Sequence, residues 1–277
     1  MLADYHVHTY YSDDSEYMME EVVKDAIKLG IDEICFTDHV DYGVKRDWDD
    51  VRGFLTRDDG TLLTNVHYPR YFAEIAKYKE KYQDQISIKK GLEFGIQTHT
   101  IKDFQKLFAA YPLDFVIMSV HQVNDMEVWP QWFQQGKNQK EYNRLYYQEI
   151  LNVIKEYKDY CVLGHLDSIV RYDLQGRCPF EYIEDLVVEI LRQAIKDNKG
   201  IEVNTSCYRY GLSDLTPARN IIELYRDLGG KIITLGSDSH KKEHLGYRLK
   251  ETKAELLSMG FEYFCTFDNM VPQFHEL

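Results

Sequence analysis

Short β-branched or apolar runs alternate along the chain with longer amphipathic ones, a rhythm that predicts parallel strands joined by helical crossovers. The short runs place strands near Leu2–His8, Glu33–Thr37, Ile86–Phe94, Phe115–Val120, Cys161–Leu166, Gly200–Asn204 and Lys231–Gly236. Between them, apolar residues at helical spacing predict helices over about 18–29, 70–82, 101–110, 139–157, 180–198 and 216–228, with a last one near 248–258. These seven strand–helix units make an α/β chain, as a closed parallel barrel or a doubly wound sheet. The run Phe261–Phe267 fits either a further short strand or a closing segment.

Two stretches break the rhythm, Asp41–His67 with its DWDDVRGFLTRDDG run, and Gln122–Asn138 with Trp129, Pro130, Trp132 and Phe133. Each follows a predicted strand end and exceeds the roughly 12–15 residues usual for a plain connection, so both read as walls or lids over a site, the first equally fitting a solvated insertion. The acidic clusters Asp47–Asp50 and Arg57–Asp59 read as solvated faces.

At 277 residues and 44% hydrophobic the chain buries a large core, and its length is that of one α/β barrel domain spanning 1–277. The balance of 33 Lys+Arg against 46 Asp+Glu, net −13, repels a polyanion and speaks against a nucleic-acid partner. Cys35, Cys161, Cys178, Cys207 and Cys265 form no C-x-x-C pair and follow no secretory leader, so they read as reduced thiols of a cytoplasmic protein. No apolar run approaches the ~20 residues needed to cross a bilayer.

The chemistry collects at strand ends. His6 and His8 alternate on an extended segment and so point the same way, able to grip one metal ion. His39 follows the second strand, Glu93 ends the third, His121 follows the fourth, His165 the fifth, and Asp238 with His240 the seventh. In a barrel or a doubly wound sheet these ends meet at one place. Asp13 and Asp14, in the loop after the first strand, each offer a further oxygen ligand. Asp38 reads as an orienting acceptor for His39 or for a water. His67, His99, His244 and His275 lie away from the strand ends.

In order, the segments HVHTYYSDD at the start, FTDH at 36–39, GLEFG at 91–95, SVH at 119–121, GHLD at 164–167, EVNTS at 202–206 and GSDSH at 236–240 resemble the PHP (polymerase and histidinol phosphatase) family of metal-dependent phosphoesterases. The likeness covers nearly the whole chain and is greatest to the histidinol-phosphate phosphatases. It implies a distorted seven-stranded (β/α) barrel holding three divalent metals, commonly zinc, manganese or iron. Carried over residue by residue, one metal takes His6, His8, Glu93 and Asp238, and a second shares Glu93 and adds His121 and His165. The third takes His39 and His240. Many relatives complete it with a histidine where this chain has Asp14, a departure that adds negative charge and shifts preference toward manganese or iron. Asp13 replaces Asp14 if the loop is displaced by one residue.

Three divalent ions bring about +6, of which Glu93, Asp238 and Asp14 cancel three, leaving about +3 for a hydroxide and a phosphate dianion. Such a site suits hydrolysis of a phosphomonoester by a metal-bridging hydroxide, with Glu93, Asp238, His240 and Arg209 as the expected catalytic set, and the resemblance implies L-histidinol phosphate as the substrate. Arg209 and Arg171 are expected phosphate clamps, Asn204 and Ser206 their loop partners, and Asp167 a candidate leaving-group acid. Asp41, Tyr42, Trp129 and Trp132 are expected to wall the mouth against the cationic end of such a substrate. A phosphoesterase for nucleotides or short oligonucleotides, and a noncatalytic protein with structural metals, are the alternatives; the latter suits sulfur-rich sites better than this oxygen- and nitrogen-rich set.

Overall fold

Strands covered on both faces read as unbroken apolar runs, and the structure, a computed structural model describing residues 1–57 and 60–277, has seven of them. They are β1 (Ala3–Val7), β2 (Glu33–Phe36), β3 (Ser87–Gly95), β4 (Phe115–Ser119), β5 (Val162–Leu163), β6 (Gly200–Asn204) and β7 (Ile233–Gly236). Neighbours pair parallel in chain order from β1 to β7. The crossovers carry α1 (Met19–Leu29), α2 (Tyr68–Lys81), α3 (Ile101–Ala110), α4 (Gln139–Glu156), α5 (Glu184–Lys196) and α6 (Arg219–Asp227), and α7 (Leu249–Ser258) follows β7. Asp58 and Asp59, part of the cluster read as a solvated face, lie outside the described residues.

The sheet curls into a nearly closed barrel. β1 meets the segment after β7 at the C-terminal end, where the His8 N–H donates to the Ser239 carbonyl at 2.9 Å and the Ser239 N–H to the His6 carbonyl at 3.2 Å. Further down, the buried Asp4 carboxylate accepts from Ser237 N–H at 2.9 Å, Ser237 Oγ at 2.5 Å and Gly246 N–H at 3.0 Å, replacing ladder bonds along the seam.

The opposite end is plugged by an antiparallel hairpin, β8 (Tyr263–Asp268) and β9 (Val271–Glu276). Phe267 packs 5.0 Å from the Phe115 ring, Tyr5 packs 4.9 Å from it, and the Phe267 N–H donates to Tyr5 Oη at 2.7 Å. Phe261–Phe267 therefore feeds a true strand. Its partner β9 went unforeseen because Pro272 and mostly exposed side chains leave no apolar run to read.

Three predicted helix starts move by two residues or more, the helix expected from 216 beginning at Arg219. α2 begins at Tyr68, with Pro69 tolerated in its first turn, and α5 begins at Glu184 because Phe180–Tyr182 forms a separate 3₁₀ turn. The insertion at 41–67 contains a pair of short strands, Leu55–Thr56 against Leu62–Leu63. That at 122–138 holds another, Gln122–Val123 against Met126–Glu127, turned by Asn124 and Asp125 in left-handed conformation. All five cysteines are buried and free, and no helix among the described residues is long and apolar enough to cross a membrane.

Candidate metal centre

Parallel strands bring their C-terminal ends to one mouth, and Glu93, fully buried at the end of β3, is the hub there. Its Oε2 lies 3.1 Å from His6 Nε2, 3.0 Å from His39 Nδ1 and 3.5 Å from His8 Nε2. Its Oε1 lies 2.8 Å from His165 Nε2 and 3.1 Å from His121 Nε2, and accepts from Ser119 Oγ at 2.7 Å. His39 reaches the hub because the chain resumes pairing after β2, as a two-residue strand that sets His39 beside Glu93. Asp238 Oδ1 stands 3.5 Å from His8 Nε2 and 3.7 Å from His6 Nε2. Asp14 Oδ2 stands 3.2 Å from His240 Nε2 and 3.6 Å from His39 Nε2. Asp13 instead binds Lys45 Nζ at 2.6 Å.

This donor set fits divalent cations. Ligand atoms fall within 4.8 Å of one another in several triads, among them His6, His8 and Glu93; Glu93, His121 and His165; and His8, His39 and His240. His8 Nε2 is buried with no hydrogen-bond partner although two carboxylate oxygens stand 3.5 Å away, an arrangement proteins avoid unless a cation completes it. Without metal the carboxylates draw charge from imidazoles. Burial opposes protonation of His6, but Glu202, Glu93 and Asp238 hold it well above its ordinary range. Burial and the neighbouring His240 and His39 hold His8 well below. Against the effect of burial, His6 and Arg171 keep Asp238 well below the usual carboxylate range, and His6, His121 and His39 do the same for Glu93.

Several ligand rings are backed by partners the motifs only partly announced, while His165 Nδ1 is buried without one. Asp38 accepts from Thr9 N–H at 2.7 Å and Ser12 Oγ at 2.7 Å, and Ser12 Oγ lies 3.2 Å from His8 Nδ1. Asp38 thus acts through Ser12 on His8, in place of the expected contact with His39. Asp41 lines the cavity as expected, and it also backs a ligand: its Oδ1 lies 2.7 Å from His121 Nδ1 and its Oδ2 2.9 Å from Lys45 Nζ. Glu202 Oε1 lies 2.5 Å from His6 Nδ1. The sequence signal for Glu202 was a carboxylate inside the apolar run of β6, where a buried parallel strand has no ordinary use for one.

Above the donors a cavity of about 350 Å³ opens between the two insertions. Arg171 lines it as expected, and its NH2 donates to Asp238 Oδ2 at 2.9 Å, Ser206 Oγ at 2.6 Å and Asn204 Oδ1 at 3.2 Å. Its Nε is buried without a partner. Trp129 lines the opposite side with Glu127 and Arg57, whose NH2 donates to Glu127 Oε1 at 3.2 Å. Lys45 carries no pattern in the sequence, being a single cation in a long loop, and Arg57, expected with its acidic neighbours on a solvated face, instead lines the cavity. Four expectations are displaced. Arg209 does not line the cavity; it donates to the carbonyls of Ser237 at 2.6 Å and Asp238 at 2.7 Å, bracing the loop that carries Asp238. Tyr42 is outside the lining, half-buried against the Phe104 ring at 4.9 Å, with its hydroxyl donating to Asp47 Oδ2 at 3.0 Å. Trp132 is exposed and outside the lining, and Asp167 is held by Arg177 and the Ala218 N–H at 3.0 Å, beside a different small cavity.

A nearly closed parallel barrel with an imidazole and carboxylate cage at its C-terminal mouth, open to a cavity, defines a metal-dependent barrel enzyme. Residues 4–206 match the PHP domain, and the chain belongs to that family. It is 32% identical over 270 residues to a histidinol-phosphatase of Lactococcus lactis, covering 96% of this chain and 94% of that one. It is 27% identical to a probable histidinol-phosphatase of Thermotoga maritima, over 95% of this chain and 94% of that one. The crystal structure of the Lactococcus lactis histidinol phosphate phosphatase with zinc, L-histidinol and phosphate superposes with a TM-score of 0.86 at 30% identity, covering 98% of both chains. A putative histidinol phosphatase of Listeria monocytogenes, 19% identical, shares the fold with a TM-score of 0.72 over 90% of this chain and 99% of that one.

Proposed function

We propose that the chain hydrolyses L-histidinol phosphate to L-histidinol and inorganic phosphate, with three divalent metals held at the barrel mouth. The observation that carries the metal-dependent part is Glu93, one buried carboxylate within 3.5 Å of five imidazoles. The substrate rests on the near full-length likeness to a protein solved with histidinol and phosphate. His6, His8, Glu93 and Asp238 would hold one ion, Glu93, His121 and His165 the second, and Asp14, His39 and His240 the third. Asp14 takes this place over Asp13, whose carboxylate is neutralised by Lys45. When bound, divalent ions neutralise phosphoryl charge and ease the ionisation of water at neutral pH.

The chain's own residues do the rest. Arg171, already fixed by Asn204, Ser206 and Asp238, presents its guanidinium edge to a phosphoryl oxygen without having to be ordered first. Arg209 keeps the Asp238 loop in place. Glu127 and the Trp129 indole offer an acceptor and an apolar face to the cationic, imidazole-bearing end of the substrate. The insertions narrow the mouth around a small ester. Five buried free thiols suit a reducing cytoplasm.

The deciding experiment is phosphate release from L-histidinol phosphate, p-nitrophenyl phosphate and a dinucleotide, with the stripped protein reconstituted separately in zinc, manganese and iron. The expected result is a kcat/KM for histidinol phosphate at least about 100-fold above the others. A preference for the dinucleotide would move the assignment to nucleotide phosphoesters while leaving the metal centre in place.

A further inference from the structure

We propose that Glu202 is the positioning residue of the metal centre, fixing the His6 ring and the His165 backbone so that both present Nε2 to Glu93; this rests on the metal reading above. Glu202 is 1% exposed, and it belongs to none of the triads able to hold an ion. Both of its oxygens are used. Oε1 stands 2.5 Å from His6 Nδ1, while Oε2 accepts from the His165 N–H at 2.8 Å and Asn204 Nδ2 at 3.1 Å.

Three consequences follow from that geometry. A carboxylate on Nδ1 keeps one proton there, so His6 Nε2, 3.1 Å from Glu93, is the nitrogen left to ligate once an ion replaces its proton. His165 has φ of 21°, a backbone conformation that L residues avoid, and the bond from its amide to Glu202 helps hold it there. Room for the pair comes from β7, where a Cβ on Gly236 would lie 2.1 Å from Glu202 Oε1 and 2.4 Å from His6 Cβ. One side chain thus ties the ligands of β1 and β5 through β6, with the gap in β7 reserved for it.

Glu202→Gln tests this with little change of shape. A glutamine has one acceptor and one donor group, whereas His6 Nδ1–H and the His165 N–H both require acceptors, so one of the two bonds must fail. Wild type, Glu202→Gln and Gly236→Ala are stripped with a chelator and titrated with zinc against a chromophoric competitor. Histidine ¹⁵N shifts are recorded on the zinc-loaded proteins. The expected result is a 10–100-fold loss of zinc affinity in Glu202→Gln, a changed His6 Nδ1–H or His165 amide signal, and circular dichroism of the metal-free protein like that of wild type. Gly236→Ala should weaken zinc in the same way. Equal zinc affinity and unchanged His6 and His165 signals in Glu202→Gln would overturn the inference while leaving the metal centre standing. Failure of the wild type to bind zinc would overturn both.

Discussion

Gly95 ends β3 beside the Asp41–His121 pair, and its φ lies outside the left-handed region, so only its missing side chain matters. A Cβ there would lie 1.9 Å from Asp41 Oδ1 and 2.9 Å from His121 Nδ1. Asp41 cannot swing clear, because Lys45 Nζ holds its other oxygen at 2.9 Å and Asn65 Oδ1 accepts from its N–H at 2.9 Å. Gly95→Ala must therefore stretch or break the 2.7 Å contact between Asp41 and His121. Overpacking of this kind costs about 1–3 kcal/mol. At about 2–4 °C per kcal/mol for a chain of this size, the melting point of the metal-free protein should fall by roughly 2–12 °C. An imidazole losing its supporting acceptor should also bind metal about 10–100-fold more weakly. Calorimetry on chelated protein and zinc competition measure the two effects. Asp41→Ala removes the atom that the new methyl strikes, so the double variant should be less damaged than the sum of the singles, by about 0.5–3 kcal/mol. Additive losses, or a Gly95→Ala protein unchanged in both measurements, would refute the reasoning.

His8→Ala or Glu93→Ala should lower kcat/KM by more than about 100-fold with circular dichroism unchanged; near-normal turnover in Glu93→Ala would exclude a bridging role. Trp129→Ala should raise KM for histidinol phosphate more than for p-nitrophenyl phosphate, and equal effects would remove the indole from substrate selection. Burial works against a charge on His121, but Glu93 and Asp41 push its pKa up to about 9 in the metal-free chain. Because that value lies above the ordinary 6.5, the resulting stability is fully present below pH 6.5 and lost as pH rises toward 9. The melting point of chelated protein should decline across this window. Zinc-loaded protein should show no such decline, since ligand imidazoles bind metal in neutral form.

The barrel was legible because its strands are buried on both faces and its helices on one, giving two distinct periodicities, and the strand-end histidines announced the mouth. Hydroxyls and carboxylates that back those histidines were harder to find. Asp41 follows a strand end and does line the cavity, yet its two oxygens are taken by His121 and by Lys45, four residues on in the same loop. Arg209 sits where a phosphate clamp would, but two backbone carbonyls occupy its terminal nitrogens. Such choices depend on which of several partners a side chain reaches, a matter of three-dimensional distance that spacing along the chain does not encode. The hairpin plug was half visible for a related reason: β8 buries Phe264 and Phe267, while β9 buries little and so leaves little trace.

The seam between β1 and the segment after β7 has a consequence for synthesis of the chain. His6 and His8 leave the ribosome more than 200 residues before their backbone partner Ser239. Contacts of such long sequence separation form late, because the intervening loop must first be brought together. The nascent chain therefore carries an unfinished cage until most of it has been made. The cage is complete only when the segment after β7 docks beside β1.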